Sequence, residues 1–304
     1  MIIGIPQGLL YAKYHVFATT FMKEIGAKTV ASPTTNKSIL DEGVRYCVDE
    51  ACLPMKVYHG HVAWLRGKCD AVLIPRFMSI RPKEHICPMF CGLIEMVSNH
   101  IPDLPLLIDT PVYSLNRDRM LIWAKYAARF LTKDQKTVDA AFDKAIMRQN
   151  DYKPGINDEG FPAKVALIGH VYNIYDSFIN MNLVKKLNAL GIGVLTGEYV
   201  PGDAIEDEVR QLYKKPFWSL AREYYGAAVY IRKTKMADGI IYLSSFSCGI
   251  DSIITELIKC ENDEFPFMVL KLDEHTGEAG YDTRLDAFSD MLKRRKTKFA
   301  RYVS

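Results

Sequence analysis

Short apolar segments alternate with amphipathic helical segments along most of this chain, and this alternation constrains the fold more than any other feature. Residues 71–74 are all apolar, so both faces of such a strand would be buried, as in parallel sheets. We therefore predict an α/β fold with mainly parallel sheets. The predicted strands cover residues 2–5, 28–31, 70–75, 104–108, 164–170, 192–195, 239–243 and 267–272.

Residues 150–162 interrupt the alternation, because they contain two prolines and two glycines and little that is apolar. The strand–helix pattern then starts again. We expect two Rossmann-like domains, an N-terminal one over residues 1–116 and a C-terminal one over residues 163–304. Residues 117–162 would form a helical segment and linker that joins them.

Two helix starts carry capping signals. Ser38 precedes Asp41 and Glu42, which favours a helix that begins at Ser38. Thr283 is followed three residues later by Asp286, which is typical of a capping box at the start of the last helix.

Composition and charge exclude several classes of protein. The 304 residues carry a net charge of +3, so neither nucleic acid nor an anionic membrane is an expected partner. No run of 18 apolar residues is present, and the first residues lack a basic segment and a cleavage site. We expect a cytoplasmic protein. Seven cysteines in that compartment predict buried thiols, reactive thiols or metal ligands rather than structural disulfides.

Familiar nucleotide-binding and hydrolase motifs are absent from the sequence. It contains no P-loop, no glycine-rich dinucleotide fingerprint and no serine-hydrolase nucleophile elbow. We do not expect this chain to hydrolyse ATP or to bind a dinucleotide in those ways.

Three cysteines far apart in the sequence, Cys52, Cys87 and Cys248, each lie at a predicted loop-to-helix junction. Cys47 and Cys91 lie near the first two. No pair has the spacing of a zinc ribbon, so spacing alone indicates a metal only weakly. Distant loops can still assemble an iron–sulfur site. Plain burial of the thiols is an equally good interpretation of these residues taken alone.

Two loops are rich in polar side chains. The first, residues 169–176, lies at the end of a predicted strand and contains His170. The second, residues 273–284, contains His275 beside Glu274. A histidine next to carboxylates can donate protons, but it can equally form a surface ion pair.

Several motifs, distributed in order over nearly the whole chain, resemble one known family. The chain is similar to the acyl-CoA dehydratase activase-related proteins, relatives of the subunits of 2-hydroxyacyl-CoA dehydratase and benzoyl-CoA reductase and of double-cubane cluster proteins. The motifs are CLPMK at 52–56, YHGHV at 58–62, IPR at 74–76, ICP at 86–88, YNIYD at 172–176, FSCGIDS at 246–252, DEH at 273–275 and TR at 283–284.

The resemblance implies an oxygen-sensitive iron–sulfur protein of anaerobes. It implies a cluster in the cleft between two Rossmann-like domains, ligated by Cys52, Cys87 and Cys248, with Cys91 as a candidate fourth ligand. A 4Fe–4S cluster is the expected form, and a double cubane is the alternative. A separate ATP-hydrolysing activase would supply low-potential electrons.

The leading hypothesis is that this protein accepts those electrons and passes them to a substrate bound at the cluster. The substrate would be a small molecule or a CoA thioester, and the activity that of a reductase or a 2-hydroxyacyl-CoA dehydratase-like lyase. The protein could act as a homodimer or a heterodimer. Two alternatives remain, a non-catalytic electron carrier and a two-domain binding protein with a zinc–thiolate site. Under the leading hypothesis His275 and Glu274 transfer protons, and His170, Tyr172, Asn173 and Asp176 line the cofactor site.

Overall fold

A computed structural model describes the backbone of residues 1–261 and 264–303 and the side chains up to residue 297. The chain divides into two compact units, Met1–Pro154 and a second unit that begins at Gly155. Both units are α/β, and every named strand pairing is parallel, which confirms the predicted fold class. No helix in the described part of the chain is both long enough and apolar enough to span a bilayer.

The first unit contains a four-stranded sheet with the order β2-β1-β3-β5 and a small sheet made of β4 and β6. The two central strands, β1 and β3, lie in the core, since Ile3 in β1 and Ala71 and Val72 in β3 have no exposed surface. The strands are β1 Ile2–Ile5, β2 Lys28–Ala31, β3 Ala71–Leu73, β4 Arg76–Phe77, β5 Leu106–Ile108 and β6 Pro111–Val112.

An aromatic cluster packs two helices of the predicted connecting segment, α6 (Arg117–Ala128) and α7 (Gln135–Asp151), against α1 (Tyr11–Glu24) in the first unit. Phe17 lies 5.9 Å from both Trp123 and Phe142, measured between ring centroids, and 6.0 Å from Phe21. Each such ring contributes roughly 1.5–3 kcal/mol by burial. The helices are α1 Tyr11–Glu24, α2 Lys37–Tyr46, α3 Leu53–Trp64, α4 Pro88–Cys91, α5 Leu93–His100, α6 Arg117–Ala128 and α7 Gln135–Asp151.

Helix α2 begins earlier than the sequence predicted. Asn36 is the N-cap residue, and its Oδ1 accepts a hydrogen bond of 3.1 Å from the backbone N–H of Ile39. The prediction that Ser38 caps this helix is therefore wrong. Both side chains are short and polar, so the residue types alone did not distinguish them.

Two glycines allow the backbones of α2 and α3 to touch. A Cβ atom on Gly43 would overlap the carbonyl oxygen of Lys56, and one on Gly60 would overlap that of Ile39. This close approach fixes the position of α3, the helix that follows Cys52.

The second unit contains one four-stranded sheet with the order β10-β9-β7-β8. Its strands are β7 Ala163–Gly169, β8 Ile192–Thr196, β9 Gly239–Ser245 and β10 Phe267–Leu272. A 3-10 turn covers Gly197–Tyr199, and the helices are α8 Val171–Ile174, α9 Leu183–Ala189, α10 Gly202–Arg210, α11 Ser219–Thr234, α12 Gly249–Cys260 and α13 Glu278–Val303.

The last helix, α13, begins at Glu278, so the prediction that Thr283 caps it is wrong. The hydroxyl of Thr283 instead donates to the carbonyl oxygen of Ala279 within the helix. The small and polar residues before Thr283 resembled a loop in sequence but continue the helix.

Each sheet changes direction next to its first strand. In the first unit the chain moves from β1 to β2 on one side and to β3 on the other, and in the second it moves from β7 to β8 and then to β9. In open parallel sheets, ligands bind beyond the carboxyl ends of the strands at such a switch point. The loops after β1 and β3 and those after β7 and β9 are therefore the places to examine for function.

Candidate functional site

The three cysteines predicted as metal ligands share one structural position. Cys52, Cys87 and Cys248 are the N-cap residues of α3, α4 and α12. All three are half-buried, and none of the seven cysteines of the described chain forms a disulfide. In the two longer helices, α3 and α12, the N-terminal N–H groups and the helix dipole favour an anionic group near the cysteine.

Proline and a strained turn help to set these positions. Pro54 and Pro88 lie in the first turns of α3 and α4, where a missing N–H leaves no hydrogen bond unmade. Before α12, Ser247 adopts a left-handed backbone conformation with φ of 65°. Such a conformation is costly for a residue with a Cβ atom, and it turns the chain sharply between β9 and Cys248.

Cys91, the candidate fourth ligand, is the last residue of α4. Its Sγ lies 3.6 Å from the carbonyl oxygen of Phe77, to which the thiol donates a weak hydrogen bond. Burial raises the pKa of the Cys91 thiol, although the nearby Arg76 opposes the shift. This shift favours the protonated thiol, and the role of Cys91 as a ligand stays a prediction.

In the second unit, side chains from two adjacent loops form a compact cluster. His170 follows β7 directly, Cys248 precedes α12, and Asp251 lies in the first turn of α12. One ligand atom from each of them lies within 4.8 Å of the others. Ligands of one tetrahedral ion, with bonds of about 2.0–2.3 Å, lie roughly 3.3–3.8 Å apart, so these side chains would have to move closer together to share an ion. No other trio in the described residues is this compact.

Buried hydrogen bonds and an ion pair hold the side chains of His170 and Asp251 in place. The Nδ1 atom of His170 lies 3.2 Å from the hydroxyl of Tyr224, and Nε2 lies 3.3 Å from Oδ1 of Asp251. The hydroxyl of Tyr242 donates to the same Oδ1 at 2.8 Å. His170 and Asp251 are 3% and 1% exposed, so water contributes little to solvating either group.

His170 and Asp251 each shift the pKa of the other. Burial alone would lower the pKa of His170, but the Asp251 carboxylate and the Cys248 side chain raise it to about 9. Burial alone would raise the pKa of Asp251, but the charge of His170 and the Tyr242 hydroxyl hold it below its usual range. The pair is therefore an imidazolium and a carboxylate at neutral pH.

Two polar atoms of the cluster remain without a hydrogen-bond partner in the described structure, Nε2 of His170 and Oδ2 of Asp251. Nε2 of His170 and Oδ1 of Asp251, 3.3 Å apart, form an ion pair rather than a hydrogen bond. Buried polar atoms normally find a partner, and exceptions mark strain, a functional role or an absent ligand.

Of the residues predicted to line the cofactor site, Tyr172 and Asn173 lie beside the His170 side chain and the end of β9. Tyr172 stacks on the His170 ring with centroids 4.7 Å apart. Oδ1 of the fully buried Asn173 accepts a hydrogen bond of 3.2 Å from Ser245, the last residue of β9. Both side chains therefore support the loop that carries His170.

Asp176, the last of the residues predicted to line the cofactor site, stabilises a turn of the backbone. Its Oδ1 accepts hydrogen bonds from the backbone N–H groups of Phe178 and Ile179 at 3.0 and 3.1 Å. This is an Asx-type turn. Its role in binding a cofactor stays a prediction.

The predicted proton donors lie in the loop after β10. The His275 side chain is 87% exposed, and its Nε2 lies 4.0 Å from a carboxylate oxygen of Glu274. The backbone N–H of His275 donates to Asp273. Exposed pairs of this kind contribute about 0–1 kcal/mol, and the catalytic role of both residues stays a prediction.

Sequence reasoning did not identify Asp251, Tyr224 or Tyr242 as members of the site. In the sequence, Asp251 is typical of the start of a helix, and the two tyrosines are typical of residues in a hydrophobic core. A tyrosine inside an otherwise apolar strand, as in β9, was the one available signal, because a buried hydroxyl requires a hydrogen-bond partner.

Comparison with known proteins supplies a family. Residues 2–200 match the family described as CoA enzyme activase uncharacterised domain. The match includes Cys52, Cys87, Cys91 and His170 and ends before Cys248. No curated protein sequence matches the chain.

Similarity to solved structures is weak. A mutant Mn-bound periplasmic metal binding protein from candidatus Liberibacter asiaticus is 10% identical, with full coverage of both chains and a TM-score of 0.25. The apo form of a dinucleotide forming acetyl-coenzyme A synthetase 1 from Ca. Korarchaeum cryptofilum is 14% identical, with a TM-score of 0.24. That match covers 96% of this chain and 63% of the synthetase, and scores this low establish no common fold.

The family match covers well over half of the chain and suggests a relationship to the acyl-CoA dehydratase activase family, whereas the motifs after residue 200 lie outside it. This protein belongs to the family of the CoA enzyme activase uncharacterised domain.

Proposed function

We propose that this protein is a cytoplasmic iron–sulfur protein that accepts low-potential electrons from a separate ATP-hydrolysing activase and delivers them to a substrate. Its relatives in this proposal are the subunits of 2-hydroxyacyl-CoA dehydratase and benzoyl-CoA reductase and the double-cubane cluster proteins. The substrate is a CoA thioester or another small molecule.

One observation carries the proposal: Cys52, Cys87 and Cys248 all occupy the residue immediately before a helix, half-buried and outside any disulfide. Thiolates are the ligands that iron–sulfur clusters require, so this donor set fits the group. These three residues would hold the cluster, with Cys91 as the candidate fourth ligand. When bound, a 4Fe–4S cluster supplies one-electron transfer at low potential.

The side chains around Cys248 would position it and adjust its surroundings. The imidazolium of His170 places a positive charge beside the Cys248 side chain, which stabilises negative charge there. Asp251 and Tyr224 orient the imidazole. Such outer groups tune the potential of a metal site.

Reduction under anaerobic conditions tests the proposal. The full chain, purified without oxygen, is mixed with an activase of the acyl-CoA dehydratase type and ATP. We expect ATP-dependent bleaching of visible absorbance and an EPR signal, both lost in the Cys248→Ala variant and retained in Cys260→Ala, an exposed cysteine. A colourless protein would contradict the proposal. Turnover of a thioester separates an enzyme from an electron carrier.

A zinc–thiolate site is the second candidate, and the compact trio of His170, Cys248 and Asp251 favours it. Nitrogen, sulfur and oxygen are all donor atoms that zinc accepts. The Asp251→Asn variant separates the two candidates. The iron–sulfur proposal predicts that the folded variant still binds iron, whereas the zinc alternative predicts loss of stoichiometric zinc.

A further inference from the structure

The first unit contains a cavity of about 200 Å³ at the switch point of its sheet. It lies beyond the carboxyl ends of β1 and β3, whose last residues, Ile5 and Leu73, both line it. The loop between β1 and α1 forms another part of the wall. This is the position at which open α/β sheets bind small molecules.

The cavity wall is apolar and largely aromatic. Among the described residues that line it, none is Asp, Glu, Lys or Arg. A charged ligand would lose its hydration there, and His15 is the one basic side chain among the described lining residues, so carboxylates, phosphates and amines are disfavoured. The main aromatic and aliphatic contributors are Phe17, Tyr58, Phe77, Phe90, Leu93 and Trp123.

Tyr58 gives this apolar wall one unsatisfied polar atom. The residue is 1% exposed, and its hydroxyl has no hydrogen-bond partner in the described structure. Burial raises the pKa of Tyr58, so the phenol is neutral and can donate. A buried donor without an acceptor is unfavourable, and a ligand oxygen would supply the missing acceptor.

Another polar side chain on the wall is already engaged. Oε1 of Gln149 accepts a hydrogen bond from the N–H of Phe17, and its Nε2 donates to the carbonyl oxygen of Lys13. Gln149 therefore ties α7 to α1 and is not available to a ligand. The lining also contains Tyr11, Tyr14, His15 and Asn150, but among the described lining residues only Tyr58 has a side-chain polar atom that is buried without a hydrogen-bond partner.

The volume limits the size of the ligand. An apolar protein cavity of about 150 Å³ stays dry and binds benzene, so about 200 Å³ accommodates roughly eight non-hydrogen atoms. The aromatic wall favours a flat ring as well as a short aliphatic chain.

We propose that this cavity binds a small uncharged apolar molecule of that size, with one oxygen acceptor that receives a hydrogen bond from Tyr58. The class includes aryl ketones, short aliphatic ketones and their esters. No cysteine is among the described residues that line the cavity, so binding there is independent of an iron–sulfur cluster.

Titration calorimetry on the full chain tests this site with three probes of similar size. Acetophenone carries a neutral oxygen, ethylbenzene carries none, and benzoate is charged. We expect one-to-one binding of acetophenone, binding of ethylbenzene that is weaker by about fivefold or more, and no binding of benzoate. The Tyr58→Phe variant should bind acetophenone no better than ethylbenzene, while Tyr126→Phe, an exposed tyrosine outside the cavity, should behave as wild type.

A filled cavity provides the second arm of the test. Ala18 lines the cavity from α1, so Ala18→Phe should abolish binding of both uncharged probes. Ala140→Phe, at an exposed position of α7, is the matched control and should leave binding unchanged. Circular dichroism confirms that each variant is folded. Absence of binding to the wild-type chain, an equal affinity for acetophenone and ethylbenzene, or unchanged binding in folded Ala18→Phe would overturn the proposal.

Discussion

The Nε2 atom of His170 lies 3.3 Å from Oδ1 of Asp251, and the two side chains are 4% and 1% exposed. This pair joins the loop after β7 to the start of α12, which Cys248 precedes. Removing one member of a buried ion pair leaves an uncompensated charge and costs about 3–5 kcal/mol. The pair therefore couples the stability of the second unit to the geometry of the candidate site.

A double-mutant cycle measures that coupling. We expect His170→Gln and Asp251→Asn each to lower the free energy of unfolding of the second unit by about 3 kcal/mol at pH 7. The double variant should lose less than the sum of the two, by about 1 kcal/mol or more, because no unpaired charge remains. Amide hydrogen exchange in β7 and β9 reports this value. Strictly additive losses would show that the two side chains do not interact.

The contact between α2 and α3 predicts a strong intolerance of small substitutions. A methyl group at Gly43 or Gly60 would overlap a backbone carbonyl oxygen of the facing helix, so Gly43→Ala and Gly60→Ala should each lower thermal stability severely. Gly280→Ala is the control, since it adds a Cβ in open space on α13 and should stabilise by roughly 0.5–1 kcal/mol. Similar melting temperatures for all three variants would contradict the close packing.

His61 predicts a loss of stability in mild acid. Its ring nitrogens lie 2.9 Å from the hydroxyl oxygen of Ser32 and 3.0 Å from that of Thr35. Burial lowers the pKa of His61 to about 4. The unfolded chain, in which a histidine has a pKa of about 6.5, therefore binds the proton more readily than the folded chain between those two values.

Stability should accordingly be complete above about pH 6.5 and fall by about 3 kcal/mol as the pH approaches 4. Urea titrations of the wild type and of His61→Gln at pH 7, 6 and 5 test this expectation. The variant should lose the part of the slope that corresponds to one proton. If both proteins show the same slope, protonation of His61 does not limit acid stability.

The cap of α2 provides a prediction with a neighbouring control. Asn36→Ala removes the hydrogen bond from its side chain to the N–H of Ile39 and should destabilise by about 1 kcal/mol. Ser38→Ala, inside the helix, should change stability by less than about 0.5 kcal/mol. Chemical denaturation measures the free energy of unfolding of both variants. A larger loss in Ser38→Ala than in Asn36→Ala would support Ser38 as the cap.

Strands and helices with strong apolar patterns were predictable from the sequence, because burial on a sheet or a helix face follows local periodicity. Strand β1 and strand β10 agree with their predicted bounds, Ile2–Ile5 and Phe267–Leu272. Helix starts were less predictable, as Ser38 and Thr283 show, since several neighbouring polar residues can cap equally well.

The candidate site was predictable only in part. Cys248 and His170 were identifiable as residues that follow strands, and parallel topology brings such residues to one edge of a sheet. The pairing of His170 with Asp251 depends on which strands are adjacent and on the turn at Ser247. The local periodicity of the sequence predicts neither of them. The cavity beside Tyr58 likewise arises from residues spread between Ile5 and Asn150.

Iron and acid-labile sulfide per chain, measured on the full chain purified under strict anaerobiosis, test the iron–sulfur assignment most directly. We expect about four of each in the wild type and a large loss in each of Cys52→Ala, Cys87→Ala and Cys248→Ala, with Cys260→Ala unchanged. The same measurement on Cys91→Ala decides whether that thiol is a fourth ligand. A wild-type protein without iron, or three cysteine variants that retain all of it, would contradict the assignment.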